Sequence, residues 1–578
     1  MQNDELLIQK ESQIFDAIVI GSGISGGWAA KELTERGLNT LMIDRGRMVK
    51  HGQDYPTENK GPWEFPLRTK MNLKEKKEIY PIQSRSIFLN ESTKHFFCND
   101  NEQPYSTEPG SDFTWIRGNQ VGGKSLLWFR QSYRFSNHDF LANKRDGVGV
   151  DWPIRYKDIA PWYSKVERFA GISGNTDNIE QLPDSEYQPP FEMYQCEQDI
   201  KSKFEKQYSD KHFIIGRAAH LTKPNREQVA LGRYNCQARN QCQRGCSFGG
   251  YFSTQSATMP AAMRTGKLQI ASNSVVHSLI YNSQKNRVAG VRVIDSETLQ
   301  QREYFGRIVF LCASTLGSTQ ILLNSANKHF PKGLANSSGV LGHYLMDHNY
   351  NASAHGFIDG YEDEYFSGWR PTGILIPNFQ YRPELYRKHY KRGYQISGSA
   401  YRQDWRTMAA SEGIGKSFKE KLQQPGRWGF WIGAQGEMLP RHENQVSLHS
   451  TQKDKWGIPQ LHINCQWSEN ERLMMEDACE TMQAMLKNLG LNEVSGQVTS
   501  DKYPPGSAIH EVGTARMGSD KTNSVLNGHN QSHDIPNLFV TDGSCFASSA
   551  VQNPSLTFMA LTARAANYAA SELSAGRL

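Results

Sequence analysis

Long hydrophobic runs are missing from this 578-residue chain. No stretch reaches the roughly 18 consecutive apolar residues of a membrane span. A secretory leader is missing as well, because the opening "MQNDELLIQKESQIF" has acidic residues and no apolar h-region. On that reading the chain by itself stays in the cytoplasm. Charge of one sign is scarce. The formal net charge is +6 and no basic run stands out, which argues against nucleic-acid binding. Internal repeats and low-complexity tracts are lacking too, which excludes solenoids and arrays. Nine cysteines over this length are too sparse for a secreted disulfide framework.

What is present is a soluble, globular composition, 38% hydrophobic and 21% charged. The length exceeds one hydrophobic core and predicts two or more domains. Strand-like runs recur at Ala17 to Ile20, Thr40 to Ile43, Ile308 to Cys312 and Leu538 to Thr541. Helical patterns cover Gly26 to Arg36 and Pro554 to Leu573. Alternation of the two predicts an α/β sheet. The middle differs. Residues 150–225 are rich in Tyr, Gln and Pro, whereas "GYEDEYFSGWRPTGILIPNFQYR" and "WGFWIGAQGEMLP" alternate like antiparallel strands. The expected fold is therefore α/β, or α+β overall: a Rossmann-type nucleotide-binding domain from 14–150, 226–349 and 496–578, with an antiparallel-sheet substrate domain from 151–225 and 350–495 inserted.

Gly21, Gly23 and Gly26 form G-x-G-x-x-G between a strand run and a helix. Such a turn lets backbone and a helix N-terminus approach a pyrophosphate, and Ile24 and Ser25 lie within it. Asp44 ends the next strand, where a carboxylate can hold a ribose hydroxyl, with Arg45 beside it. Near the C-terminus Asn553 precedes Pro554, the usual pairing of a helix cap with a first helical residue.

Four ordered segments resemble the glucose–methanol–choline (GMC) oxidoreductase family along nearly the whole chain: "GNQVGGKSLLWFRQSYRF", "VFLCASTLGSTQILLNS", "HEVGTARMG" and "NLFVTDGSCFASSAVQNPSLTFMALTARAANYAA". The resemblance implies FAD, contacted by Gly122, Gly123, Ser125, Leu126, Val276, Asp542, Gly543, Asn553, Pro554 and Ser555. Some relatives tether FAD through a His where this chain has Leu127, so the flavin is expected to be non-covalent. Oxidising an alcohol needs a base and a hydride acceptor, and histidine suits the first task near neutral pH. The family's His–His or His–Asn pair falls on His510 and Asn553, the first as general base and the second as orienting group.

Cys236, Cys242 and Cys246 lie close together with Arg233, Arg239 and Arg244 interleaved. Their spacing fits neither zinc nor ferredoxin templates. Thiolates in threes can hold an iron–sulfur cluster, while buried free thiols or a zinc site are the other readings. The spacing is similar to the three-cysteine motif of bacterial FAD sugar dehydrogenases of this family, which implies a [3Fe-4S] cluster feeding a c-type cytochrome. Those enzymes also imply a small export subunit with a twin-arginine signal, and hence a periplasmic location. Cys312 and Cys479 are expected in the core. Gln435 and Glu437, in "RWGFWIGAQGEMLP", are candidate sugar contacts on what is otherwise an ordinary amphipathic strand. The whole chain resembles large subunits described as glucoside 3-dehydrogenases or gluconate 2-dehydrogenase-like. The implied activity is oxidation of a sugar secondary hydroxyl, at C3 of a glucoside. Glucose or gluconate oxidation, a pyranose-oxidase-like oxidase and a non-redox FAD-binding lyase are the alternatives.

Overall fold

The computed structural model describes residues 9–365, 368–387, 389–404, 408–409, 413–499 and 502–578. Its first sheet is built on the strand Gln9–Ile20, which runs parallel to Thr40–Ile43 on one side and to Gln301–Leu311 on the other. Leu268–Ala271 extends the parallel set beyond Thr40–Ile43. The strand Gln301–Leu311 is shared along its length. Its first half pairs antiparallel with Arg287–Asp295, and its last residues pair parallel with Leu538–Val540. Thus the far C-terminal segment enters the sheet beside the centre. The central residues Ile18, Val19, Ile308, Val309, Phe310 and Leu311 are fully buried, as expected for parallel strands covered on both faces. Burying each such side chain is worth roughly 1.5–3 kcal/mol.

The helix Ile24–Glu35 returns the chain between the first two parallel strands and packs against the C-terminal helix Ser555–Ser574. Its approach depends on glycine. A Cβ on Gly26 would stand 1.8 Å from the Gly21 carbonyl oxygen, and one on Gly21 would meet the Cys312 carbonyl oxygen at 2.4 Å. Gly21 also has φ +93, a conformation other residues rarely adopt.

The second sheet has six antiparallel strands in the order Asn492–Val498, His348–Ile358, Trp428–Glu437, Tyr394–Arg402, Ile374–Ile376 and Ile214–Ile215. The period of two is clear in Trp428–Glu437. Trp428, Phe430, Ile432 and Ala434 pack in a core with Met474, Met475, Met482 and Met485 of the helix Glu469–Asn488. Of the alternate residues, Trp431 and Gln435 line a cavity. A third, small sheet joins the hairpin Gln445–Lys453/Pro459–Asn464 to Ser106–Thr107.

The expected mixed α/β class, with a parallel nucleotide-type sheet and a separate antiparallel sheet, is what the chain adopts. Within the strand-like stretch over 360–382, only Ile374–Ile376 pairs in the sheet, and residues 366 and 367 lie outside the described residues. The expected cap at Asn553 is not made. The helix starts at Ser555 behind Pro554 with no side-chain cap, and the Asn553 amide is used elsewhere.

The glycine packing is directly testable. Gly26→Ala forces a methyl group into backbone and should destabilise the protein by about 1–3 kcal/mol. This is read as a lowered Tm with loss of bound nucleotide, and an unchanged Tm would show that the helix can move away freely.

Candidate active site

A cavity of about 1030 Å³ lies between the glycine turn and the polar face of the antiparallel sheet. Gly21, Gly23, Ile24, Ser25, Asp44, Arg45, Gly123, Ser125, Val276, Asp542, Gly543, Asn553, Pro554 and Ser555 all line it, together with His510 and Gln435. Gly26, Gly122 and Leu126 do not reach its surface and act from behind the wall. Gly122 has φ +92, and a Cβ there would strike the Gln255 amide at 1.9 Å. The Leu126 carbonyl accepts from Arg130 Nη2 at 2.9 Å. Leu127, at the tether position, lines the cavity.

The turn is bound together by Ser22. Its hydroxyl donates to Asp44 Oδ2 at 2.5 Å and accepts from the Gly122 N–H at 2.7 Å. Asp44 also accepts from the Gly46 N–H at 2.9 Å. Asp44 thus holds two loops in register besides lining the cavity, and burial pushes its carboxyl above the usual range. A Cβ on Gly23 would meet nothing within 4 Å. That opening at a helix N-terminus leaves room for an anion. Arg45 Nε and His277 Nε2, both on residues that line the cavity, are buried without a partner. Open volume, a glycine turn and unpartnered donors fit a dinucleotide.

At the other end the cavity holds His510 and Asn553, with Asn553 Nδ2 3.3 Å from His510 Nε2. His510 Nδ1 is 2.9 Å from His348 Nδ1, and His348 Nε2 is 2.8 Å from the Ala550 carbonyl. The main chain of His510 is held by the carboxylate of Asp347, which accepts from the N–H groups of Gly506, Ala508 and His510 at 2.7, 3.1 and 3.0 Å. Burial, His348 and Lys124 hold the His510 imidazolium well below its ordinary pKa. Burial lowers His348 to about 4. Burial and neighbouring Glu511 raise Asp347 to about 7 despite its N–H donors. Lys124 Nζ pairs with Glu511 at 2.9 Å beside this group.

The antiparallel strands contribute only uncharged side chains to the cavity, including Tyr350, Ser353, Gln395, Ser397, Ser399 and Gln497. Arg370, just before the strand Ile374–Ile376, is neutralised by Glu197 at 2.5 Å. Gln435 donates to the Val551 carbonyl at 2.7 Å and accepts from the Tyr350 hydroxyl. Glu437 is not at the cavity: it is buried against Arg392 at 3.0 Å, with burial raising its pKa to about 7. Trp431 is 44% exposed, and its indole folds back over Gly433, where a Cβ would lie 2.7 Å from the ring. Asp347, His348 and Tyr350 were not singled out from the sequence, since their partners lie more than 80 residues away.

Cys236, Cys242 and Cys246 occupy one partly exposed loop. Arg130 Nη2 joins this loop to the glycine loop by donating to both the Cys242 carbonyl, at 3.2 Å, and the Leu126 carbonyl. Among the described residues, no three or more His, Cys, Asp or Glu side chains are gathered so as to hold a metal ion. Of the interleaved arginines, Arg233 and Arg239 lie within electrostatic reach of Cys246, whereas Arg244 does not. Arg239 lies 3.8 Å from Cys246 Sγ, but Arg244 turns to the Lys60 carbonyl and the Phe65 ring. Burial pushes the Cys236 thiol up to about 11. Behind the loop, however, Arg233 Nη2, Arg130 Nε, His51 Nε2 and His220 Nδ1 are buried without partners. Cys312 and Cys479 are buried, as expected of core thiols.

Two family models described as GMC oxidoreductase match residues 15–350 and 440–562. The fructose dehydrogenase large subunit of Gluconobacter japonicus is 26% identical, over 98% of this chain and 100% of its own length. The 2-methyl-1,2-propanediol dehydrogenase of Mycolicibacterium austroafricanum is 26% identical, over 96% and 94%. Pyridoxine 4-oxidase from Mesorbium loti has the same fold, with a TM-score of 0.56 at 15% identity, covering 96% of this chain and 98% of that one.

The open position at Gly23 separates folding from ligand binding. Gly23→Ala should change the stability by no more than about 1 kcal/mol while lowering dinucleotide retention. Full retention would show that the ligand does not approach this turn.

Proposed function

The chain belongs to the GMC oxidoreductase family and is an FAD-dependent oxidoreductase acting on CH–OH groups; on that premise we propose that it oxidises a secondary hydroxyl of a neutral sugar or glycoside, at C3 of a glucoside. The observation that carries this reading is the His510–Asn553 pair facing a polar but uncharged sheet. Bound FAD supplies the hydride acceptor. The glycine turn, Gly123, Ser125 and Asp542–Gly543 would hold it. Leu127 offers no nucleophile for a tether, so the flavin is non-covalent.

His510 Nε2 takes the hydroxyl proton. When substrate enters, its hydroxyl replaces the Asn553 contact: the O–H donates to Nε2 while Asn553 Nδ2 donates to the same oxygen and supports the negative charge that develops there. Hydroxyl and amide groups of the sheet suit sugar hydroxyls, and the Trp431 face suits the C–H surface of a ring. A carboxylate substrate such as gluconate finds no unpaired cation on these strands, which favours the neutral sugar.

We further propose that Cys236, Cys242 and Cys246 would hold a [3Fe-4S] cluster, which would supply electron transfer toward a c-type cytochrome. A cluster supplies single-electron transfer. The unpartnered guanidinium nitrogens of Arg233 and Arg130 support an anionic group there. The Arg130 bridge to the glycine loop supports a short path. The name of the Gluconobacter relative, a large subunit, supports a partner subunit, and export with such a partner would place the enzyme in the periplasm. Among the described residues no helix is long and apolar enough to cross a membrane. Burial that keeps the Cys236 thiol protonated favours a second reading, an oxidase of the pyranose-oxidase kind with structural thiols.

The working base is neutral His510, and its pKa is depressed. The active form therefore persists as pH falls through 6.5, and the acid limb of kcat/KM should lie well below that value. His510→Ala should lower kcat about 10²–10⁴-fold with flavin content unchanged. Anaerobic titration should bleach the flavin with neutral glycosides; bleaching by gluconate alone would overturn the substrate assignment.

Metal analysis separates the two electron routes. Protein purified without oxygen should contain about three irons per flavin, the content of a [3Fe-4S] cluster. It should also show an EPR signal that disappears with sugar. Iron-free protein that turns over and releases peroxide would establish the oxidase instead.

A further inference from the structure

The imidazole of His510 has two tautomers, and only one leaves a lone pair at Nε2, the nitrogen that faces Asn553. The surrounding hydrogen bonds decide between them. The Ala550 carbonyl can only accept, so His348, 2.8 Å away through Nε2, carries its proton on that nitrogen. His348 is fully buried and neutral, so its Nδ1 is a lone pair. His510 Nδ1 stands 2.9 Å from that lone pair. A second lone pair there would be repelled, so His510 must carry its proton on Nδ1. Its Nε2 is then unprotonated, as the donor amide of Asn553 requires at 3.3 Å.

We propose that His348 is a positioning residue that sets the tautomer of His510, and that the Ala550 carbonyl sets His348 in turn. This inference rests on the reading of His510 as the base. The path runs from Ala550 through two imidazoles to Asn553, beginning and ending within one four-residue loop. The backbone is bent to make it. Ala550 has φ +52 and Ile509, just before His510, has φ +62, both unusual for these residue types. Strained backbone of this kind collects where geometry serves a site. The titratable and charged groups around His510 are His348 and Tyr350 on the strand His348–Ile358, Asp347 before it, Glu511 beside it, and Lys124 from the glycine loop. Of these only His348 touches its ring by a hydrogen bond. In the step itself one O–H bond breaks and one N–H bond forms at His510 Nε2, and His348 transfers nothing.

The test compares His348→Asn, His348→Gln and His348→Leu with His510→Ala, all as flavin-loaded protein of matched Tm. Asn can keep an acceptor where Nδ1 was. Gln keeps only a donor toward Ala550, and Leu keeps neither. His348→Gln and His348→Leu should lower kcat by about 10- to 10³-fold with KM within about twofold, whereas His348→Asn should recover most of the loss. Equal activity in the three, or an equal loss in all three, would overturn the inference while a dead His510→Ala leaves the base assignment intact. An active His510→Ala would instead overturn the base assignment. Should the variants misfold, ring ¹⁵N shifts of histidine-labelled wild-type holoenzyme decide the matter. An Nδ1-protonated His510 is expected, and an Nε2-protonated ring would overturn the proposal.

Discussion

The carboxylate of Asp347 is the point on which the reacting end of the cavity depends. It sits at the start of the antiparallel sheet and accepts the N–H groups of Gly506, Ala508 and His510 from the C-terminal region. One buried side chain thereby fixes the loop that carries His510 to the sheet that forms the opposite wall. A buried acid with three N–H partners is a rigid clamp, because losing it would leave several buried donors unsatisfied. The imidazole is then aimed by its neighbours, and burial keeps it uncharged and ready to accept a proton.

The two walls of the cavity divide the physical work. The glycine side brings backbone close together, with helix and turn in contact through positions where no side chain fits. Its charges, Asp44, Arg45 and Asp542, cluster where a charged cofactor would lie. The sheet side has a different character. Its helix-covered face is apolar and packs on methionines of the helix Glu469–Asn488, and its cavity face is hydroxyl, amide and aromatic. Such a surface binds by many weak, directional contacts, with specificity coming from the match of donors and acceptors more than from charge.

The thiol loop has its own environment. Its cysteines are partly exposed, whereas the other six are buried. Behind it the guanidinium atoms Arg233 Nη2 and Arg130 Nε are buried with no partner among the described residues. Native interiors rarely leave such groups without a partner. The Arg130 guanidinium, stacked 3.7 Å over Tyr251 and bonded to both loops, makes the thiol loop and the glycine loop one mechanical unit.

Much of this was legible from local pattern. The glycine turn, the parallel strands, the C-terminal helix and the cavity positions of Gly21 and Asp44 follow from short-range spacing, while Asp542 and Asn553 were placed by the family resemblance. His510 was legible by resemblance alone, since nothing within its neighbourhood in the chain marks one histidine of 17 as reactive. Glu437 was misjudged because alternation places a residue on a face but does not say where the cavity ends. His348, Asp347 and the Ala550 carbonyl were invisible. By itself the sequence determined the fold class, the nucleotide turn and the residue types available for chemistry, because those depend on periodicity and backbone conformation. The tertiary structure alone decided which nitrogen of His510 faces Asn553 and which side of the sheet lines the cavity. Those outcomes depend on contacts between residues 43 to 202 positions apart, and no local pattern encodes them.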